Sequence, residues 1–299
     1  VKRPPKAPAV AAVTGGKPAP PAGYAAAGVG CATPSTALFG KAGTRVALTA
    51  KLEHYTARLT GTVLPPAVDF GIVHPMVTVT LPDGKKSSRA LSFLYRDTLL
   101  PMSIVTGRTS SQMCLVRFAG TSAPTVLLLA GYGGAQARMA ALGVPLAPAG
   151  IGAPLPLSEM VSGASIVRAG GHPVLLADDA RFAGFEGWAA HVDPPIVLSV
   201  VGGRFADVTA TDPSLVVPTI RSLWQAWARN ERQYYGASIL TAWTATECEI
   251  GHRAAARAEL ASLAAAGALD WPKGLPIPSG AAWVRSTEAT LAAFGYCHG

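Results

Sequence analysis

The residues able to act chemically on another molecule are few in this 299-residue chain, and they do not assemble into working sets. A serine nucleophile on a strained turn needs Gly-x-Ser-x-Gly. The nearest run, Gly163-Ala164-Ser165-Ile166-Val167, ends in valine, and no His/Asp pair stands at a matching place. Six histidines (His54, His74, His172, His191, His252 and His298) lack the spacing that brings two imidazoles to one ion. Gly131-Tyr132-Gly133-Gly134 has no capped helix after it to complete an anion cradle, so it reads as a β-turn. Asp179 and Glu186 are the one carboxylate pair that glycoside hydrolysis could use, and only their proximity recommends them. The expectation is a chain with no catalytic residues, no metal and no cofactor.

Four cysteines, Cys31, Cys114, Cys248 and Cys297, stand far apart and form no Cys-x-x-Cys pair. An even count without metal spacing points to disulfides and an oxidising compartment. Three connectivities are open. Cys31–Cys114 and Cys248–Cys297 are chosen because each pair then stays inside one expected structural unit. Six tryptophans could form a sugar-binding platform, but Trp224, Trp227 and Trp243 fall on inward helix faces by period. Trp271 and Trp283, in or beside a Pro-rich loop, are expected to be the exposed pair.

These residues hang on two kinds of element. Val46, Leu48, Ala50 and Leu52 alternate with polar neighbours, and the alternation continues through Tyr55, Ala57 and Leu59. Met76–Leu81 is a further strand, Pro82–Lys85 a turn, and Leu91, Phe93 and Tyr95 its expected hairpin partner. Cys114–Phe118 and Thr125–Ala130 supply two more strands, and Gly131–Gly163 reads as loops and short strands. Val174–Leu176 stops at Asp178-Asp179. Ile196–Val201 and Arg204–Thr209 flank Gly202-Gly203, a strong hairpin signal. Asp178 and Asp179 at a strand end point to opposite faces and are expected to cap turn amides.

After Thr209 the period changes to that of a helix. Asp212-Pro213 reads as cap and first turn of a helix whose inner face is Val216, Ile220, Leu223, Trp224 and Trp227. Further helices are expected over about 237–250, closed by Gly251, over about 253–266, and over about 280–294 with Ser279 as cap. Strands followed by segregated helices make an α+β protein. The expected divisions are an arm over 1–27, a β-rich domain over 28–210, propeller-like or built of twisted sheets, and a helical domain over 211–299.

Charge and composition narrow the partners. The formal charge of +8 is half accounted for by Lys2, Arg3, Lys6 and Lys17, which share residues 1–27 with no acid. The remainder carries no basic run with interleaved aromatics, so nucleic acid is not an expected partner. No apolar run reaches the ~18 residues of a membrane span. The start at Val1, followed by Lys-Arg-Pro-Pro-Lys, looks like a mature end after removal of a targeting peptide. Residues 1–27 are too rich in Pro and Ala to form a core. They suit an extended arm lying on another chain, its four cations meeting acidic patches or anionic wall polymers. A flexible linker is the plainer alternative.

The pieces Val126–Gly134, Ser165–Phe182, Gly203–Thr209 and Ala242–Gly251, spread over about 180 residues, carry a resemblance. In order they are similar to bacterial secreted proteins related to the FG-GAP/VCBS repeats of integrin-like β-propellers. Members have acidic calcium loops at positions where this chain has Phe118–Pro124 and Val167–Pro173, and neither stretch contains a carboxylate. The resemblance therefore implies a retained scaffold without the metal. Mean hydropathy of +0.32 and 14% charged residues leave much apolar surface for interfaces. The expected function is that of a non-catalytic exported structural, adhesive or assembly protein, engaging protein partners or itself through its β body and arm. The alternatives are a carbohydrate- or cell-wall-binding, even hydrolytic, protein and an accessory subunit of an envelope complex.

Overall fold

The structure, a computed structural model, describes residues 28–32, 43–63, 72–91, 98–99, 113–132, 138–147, 150–156, 161–184, 192–229, 236–271 and 277–297. These are an α+β set: strands in antiparallel sheets, then four helices. Two compact units divide them. One comprises the described parts of 28–177 with 198–206, the other 178–197 with the described parts of 207–299. Residues 178–197 and 207–210 group with the helices in this division. The arm over 1–27, with Lys2, Arg3, Lys6 and Lys17, lies outside the described residues, as do Phe93, Tyr95, Gly133, Gly134, Phe185, Glu186, Trp188, His191 and His298.

The first unit is built of strands. It opens with β1 (Val29–Cys31), followed by β2 (Arg45–Leu52), β3 (Tyr55–Val63), β4 (Ile72–Thr80), β5 (Lys86–Ala90) and β6 (Thr98–Leu99). Strands β2, β3, β4 and β5 pair in that order, with β6 added to β4. The long alternation over 46–60 is two strands, not one: Glu53-His54 turns back between Leu52 and Tyr55, with Glu53 at φ +52°. The partner of β4 is Lys86–Ala90, where the sequence suggested Leu91, Phe93 and Tyr95. At this sheet edge the half-buried positions are Ser87 and Arg89, which bond to the Ile151 amide and the Gly152 carbonyl, so Lys-Ser-Ser-Arg-Ala gave no apolar signal.

The second sheet contains β7 (Met113–Val116), β8 (Thr125–Tyr132), β9 (Arg138–Ala147), β10 (Gly150–Ile151) and β11 (Leu155–Pro156). Its order is β1-β7-β8-β9-β10, with β11 on β9. The ten-residue β9 corrects the expectation of loops and short strands over 131–163. Its Gly, Pro and Ala content hid it, and pairing with β8 from Arg138 to Pro145 rather than propensity makes it a strand. The two sheets share one core: Leu48, Ala50, Leu59, Val77 and Val79 from the first join Met113, Leu115, Val126 and Leu128 from the second. Gly30 of β1 lies under the Lys51 carbonyl, which would stand 1.7 Å from any Cβ there, so the close approach requires glycine.

A third sheet runs β12 (Val161–Ala169), β13 (His172–Asp179), β14 (Pro195–Val201), β15 (Arg204–Asp207) in chain order. The hairpin at Gly202-Gly203 is as expected, with φ +58° and +76°. The unit boundary falls inside β13, β14 and β15. On the strand unit's side, Phe205 lies edge-on to Phe118, 6.0 Å between centroids, and covers Gly143 of β9.

The other unit contains α1 (Val217–Ala228), α2 (Gly236–Glu249), α3 (Arg253–Ala265) and α4 (Gly280–Ala293). Helix α1 buries Ile220, Leu223, Trp224 and Trp227 as its period predicts, together with Val217, while Val216, expected on that face, is buried just before the helix begins. Its start is later than expected. Pro213–Leu215 is a separate 3-10 turn, and Asp212 accepts a hydrogen bond from Ser214 Oγ (2.5 Å) rather than capping the helix. Helix α2 is buried nearly all round, as a helix at the centre of its unit must be. Its Thr241, Thr244 and Thr246 hydroxyls donate to carbonyls one turn back (2.9, 2.7 and 2.8 Å), which satisfies them without a polar face. Ser279 precedes α4, but its Oγ accepts from the Trp271 amide (3.2 Å) and makes no cap bond to the helix.

Candidate functional site

The densest polar cluster among the described residues surrounds Asp179, at the end of β13. Asp179 is 1% exposed, and its carboxylate is surrounded by donors. The Arg181 amide (3.1 Å) and Nε (2.8 Å to each oxygen) donate to it, as does Arg181 Nη2. Tyr296 Oη donates to Oδ2 (2.8 Å). Arg181 Nη1 donates to the Phe294 carbonyl (2.7 Å), and its guanidinium lies 5.3 Å from the Phe294 ring centre and 5.6 Å from that of Tyr296. Phe182, next in sequence, packs edge-on against both rings. The expectation that an aspartate here would hold a turn amide is met by Asp179, which also takes a guanidinium and a phenol.

Two local features place these groups. The acidic strand end followed by a 3-10 turn, Ala180–Gly184, folds Arg181 back onto Asp179. At the other end, α4 terminates with Gly295 at φ +91°. The Tyr296 amide then bonds the Leu291 carbonyl (2.8 Å) and the Gly295 amide that of Ala292 (3.1 Å). This is a Schellman motif, and it aims the residues after the glycine back at the helix. The same motif closes α2 at Gly251, where the His252 amide bonds the Glu247 carbonyl (2.8 Å). Cys248 near that end and Cys297 after Tyr296 form a disulfide. Cys31 and Cys114, directly opposed on β1 and β7, form the other. Both pairings are those chosen from the sequence.

The electrostatics of the cluster are set by burial. Glu249, the last residue of α2, is held up to about 7 from its usual 4.5, first by burial and then by the charge of Asp207. Asp178 is raised to about 6 by burial and by Asp193. Burial, then the neighbouring Asp179 charge, keep the Tyr296 phenol protonated well above its usual range, so it is a permanent donor. Asp207 Oδ1 accepts from the Thr209 amide (2.8 Å) and hydroxyl (2.6 Å), while Thr209 Oγ1 accepts from the Val197 amide (2.8 Å). The Asp207-Val208-Thr209 run, which ends β15 and opens the following 3-10 turn, is thus a turn lock.

The remaining candidates are dispersed. Ser165 lies within β12 and donates to the Leu176 carbonyl (3.4 Å), with no elbow around it. His54, His74, His172 and His252 are exposed, and His252 Nδ1 meets Glu247 (2.8 Å). Among the described residues no three His, Cys, Asp or Glu side chains converge as metal ligands would. In the two loops without carboxylates, guanidinium groups contact carbonyls: Arg117 Nη1 donates to Ser122 (2.8 Å) and Arg168 Nη1 to Gly171 (2.7 Å). Trp271 and Trp283 correct a sequence expectation. They are 7% and 1% exposed and pack against each other with centroids 5.4 Å apart. Trp283, Thr287 and Leu291 recur at every fourth position along the inner face of α4, a period that outweighs the nearby Pro-rich loop. Arg181 and Tyr296 were not singled out from the sequence. The Asp-Asp-x-Arg-Phe run marks Arg181, but nothing local links it to Tyr296, 115 residues on.

No protein-family model, curated protein or solved structure matches the chain.

Proposed function

We propose that this is a non-catalytic exported protein with a structural, adhesive or assembly role, meeting other chains through its β body and its Pro/Ala-rich arm. The observation that supports this best is how the polar groups are spent. A catalytic group must be left able to attack or to exchange a proton with substrate. Asp179, the most deeply buried acid of the cluster, instead has its oxygens occupied by Arg181 and Tyr296. Each compact unit also carries its own disulfide, which suits an oxidising compartment. No helix among the described residues is long and apolar enough to cross a membrane. The resemblance to secreted FG-GAP/VCBS-related proteins belongs with this reading. The buried Trp271–Trp283 pair leaves the carbohydrate alternative without its aromatic platform.

The test uses the full chain isolated from its native source. It is expected outside the cytoplasm, fully oxidised, and in particles larger than the monomer. Deleting residues 1–27 is expected to abolish that co-assembly while leaving the melting temperature within a degree or so, since surface changes rarely move stability beyond about 0.5 kcal/mol. A reduced cytoplasmic monomer, or a truncated chain that assembles as well as the whole, overturns the reading.

A further inference from the structure

Helices α3 and α4 enclose a groove of about 600 Å³ that contains none of the Asp179 cluster. Its α3 side is formed by Ala258, Ala261 and Ala265, all exposed; Ala281, Arg285 and Glu288 line the α4 side. Alanine floors let another helix approach to about 8 Å, the short end of interaxial distances. Across the groove, Arg257 Nε bonds Glu288 Oε1 (2.6 Å) and Nη2 bonds Oε2 (3.3 Å). Arg285 is exposed and forms no ion pair with any other described residue.

The order of residues along α4 identifies the occupant. Ala281, Arg285, Glu288 and Ala292 are spaced four, three and four apart, so they form one stripe. The stripe is a palindrome in size with opposite charges at its centre: small, basic, acidic, small. A two-fold axis beside the helix brings position i against position j and j against i. With the helices antiparallel and the axis between 286 and 287, Arg285 meets Glu288 and Ala281 meets Ala292, twice over. A second copy presents the matching acid, base and small residues by symmetry, whereas an unrelated helix would have to carry its own at the same spacing. The basic arm would bring four further cations to a rim that already holds two arginines and one glutamate.

We propose that the α3–α4 face is a two-fold interface between copies of this chain, with α4 antiparallel to α4 of the second copy and Arg285 paired across the axis with its Glu288. Each Glu288 then accepts from Arg257 of its own chain and Arg285 of the other, within the capacity of a carboxylate. Helices of 13 and 14 residues, each about 20 Å long, present a modest face, so the dimer is weak, reversible and salt-sensitive. The surface is not one that the functional reading uses, and the two fail separately.

Sedimentation of the oxidised full chain from micromolar to millimolar protein should show a monomer–dimer equilibrium weakened by salt. Arg285→Glu sets acid against acid and is expected to weaken the dimer at least about tenfold with an unchanged monomer melting temperature. Under mild oxidation, a mixture of Ala281→Cys and Ala292→Cys chains should cross-link into dimers. Neither chain should do so alone, since like positions lie about 16 Å apart along the antiparallel helices. A monomer throughout the range, a dimer indifferent to Arg285→Glu, or self-linking of either cysteine chain in place of the mixed product overturns the proposal. A dimer held by another surface would overturn it too, while leaving the assembly role standing.

Discussion

At the scale of single residues, the buried Asp179 carboxylate takes its donors from Arg181 and Tyr296. Removing the Tyr296 hydroxyl takes one donor from Asp179 and replaces it with nothing, because the phenol site is buried. Tyr296→Phe should therefore cost about 1.5–3 kcal/mol, the worth of a hydrogen bond to a charged group, read from the shift in denaturant midpoint. Glu249 and Asp178 make a second residue-scale prediction. Both have folded values raised above the unfolded ones, to about 7 from 4.5 and to about 6 from 3.8. Between the unfolded and folded values the native state binds more protons, so stability falls as pH rises through that window. The melting temperature should be higher near pH 5 than near pH 8. Glu249→Gln should flatten most of the difference, and an equal slope in the variant would refute the assignment.

At the scale of elements, α4 packs its unit with one face, Trp283, Thr287 and Leu291, and places Tyr296 and Cys297 with its Schellman end. Trp283 is 1% exposed. Trp283→Ala should cost about 3–5 kcal/mol by transfer and cavity together, measured by urea unfolding. Were it the surface residue that its neighbourhood suggests, the change would stay within about 0.5 kcal/mol.

At the scale of the molecule, each compact unit has its own covalent closure. Chain-entropy arithmetic gives about 4 kcal/mol for Cys248–Cys297, 49 residues apart, and about 4.5 kcal/mol for Cys31–Cys114, 83 apart. Replacing either pair by serines should lower the stability of the unit that contains it by roughly those amounts. Intact-mass measurement should reveal four thiols only after reduction.

The α+β class, the Gly202-Gly203 hairpin, the inner face of α1 and both disulfides were legible in the sequence because each is a local pattern or stays within one unit. Three features were not. Strand β9 has weak intrinsic preference and is made a strand by its pairing with β8. Strand β5 lies at an edge, and its half-buried positions are Ser87 and Arg89, polar residues bonded to Ile151 and Gly152, so no apolar alternation marks it. The Asp179–Arg181–Tyr296 cluster joins a strand end to a helix end 117 residues away, and no period or spacing encodes such a meeting. Periodicity reports which side of an element faces inward. Which buried donor meets which buried acceptor is decided only when elements distant in sequence are brought together.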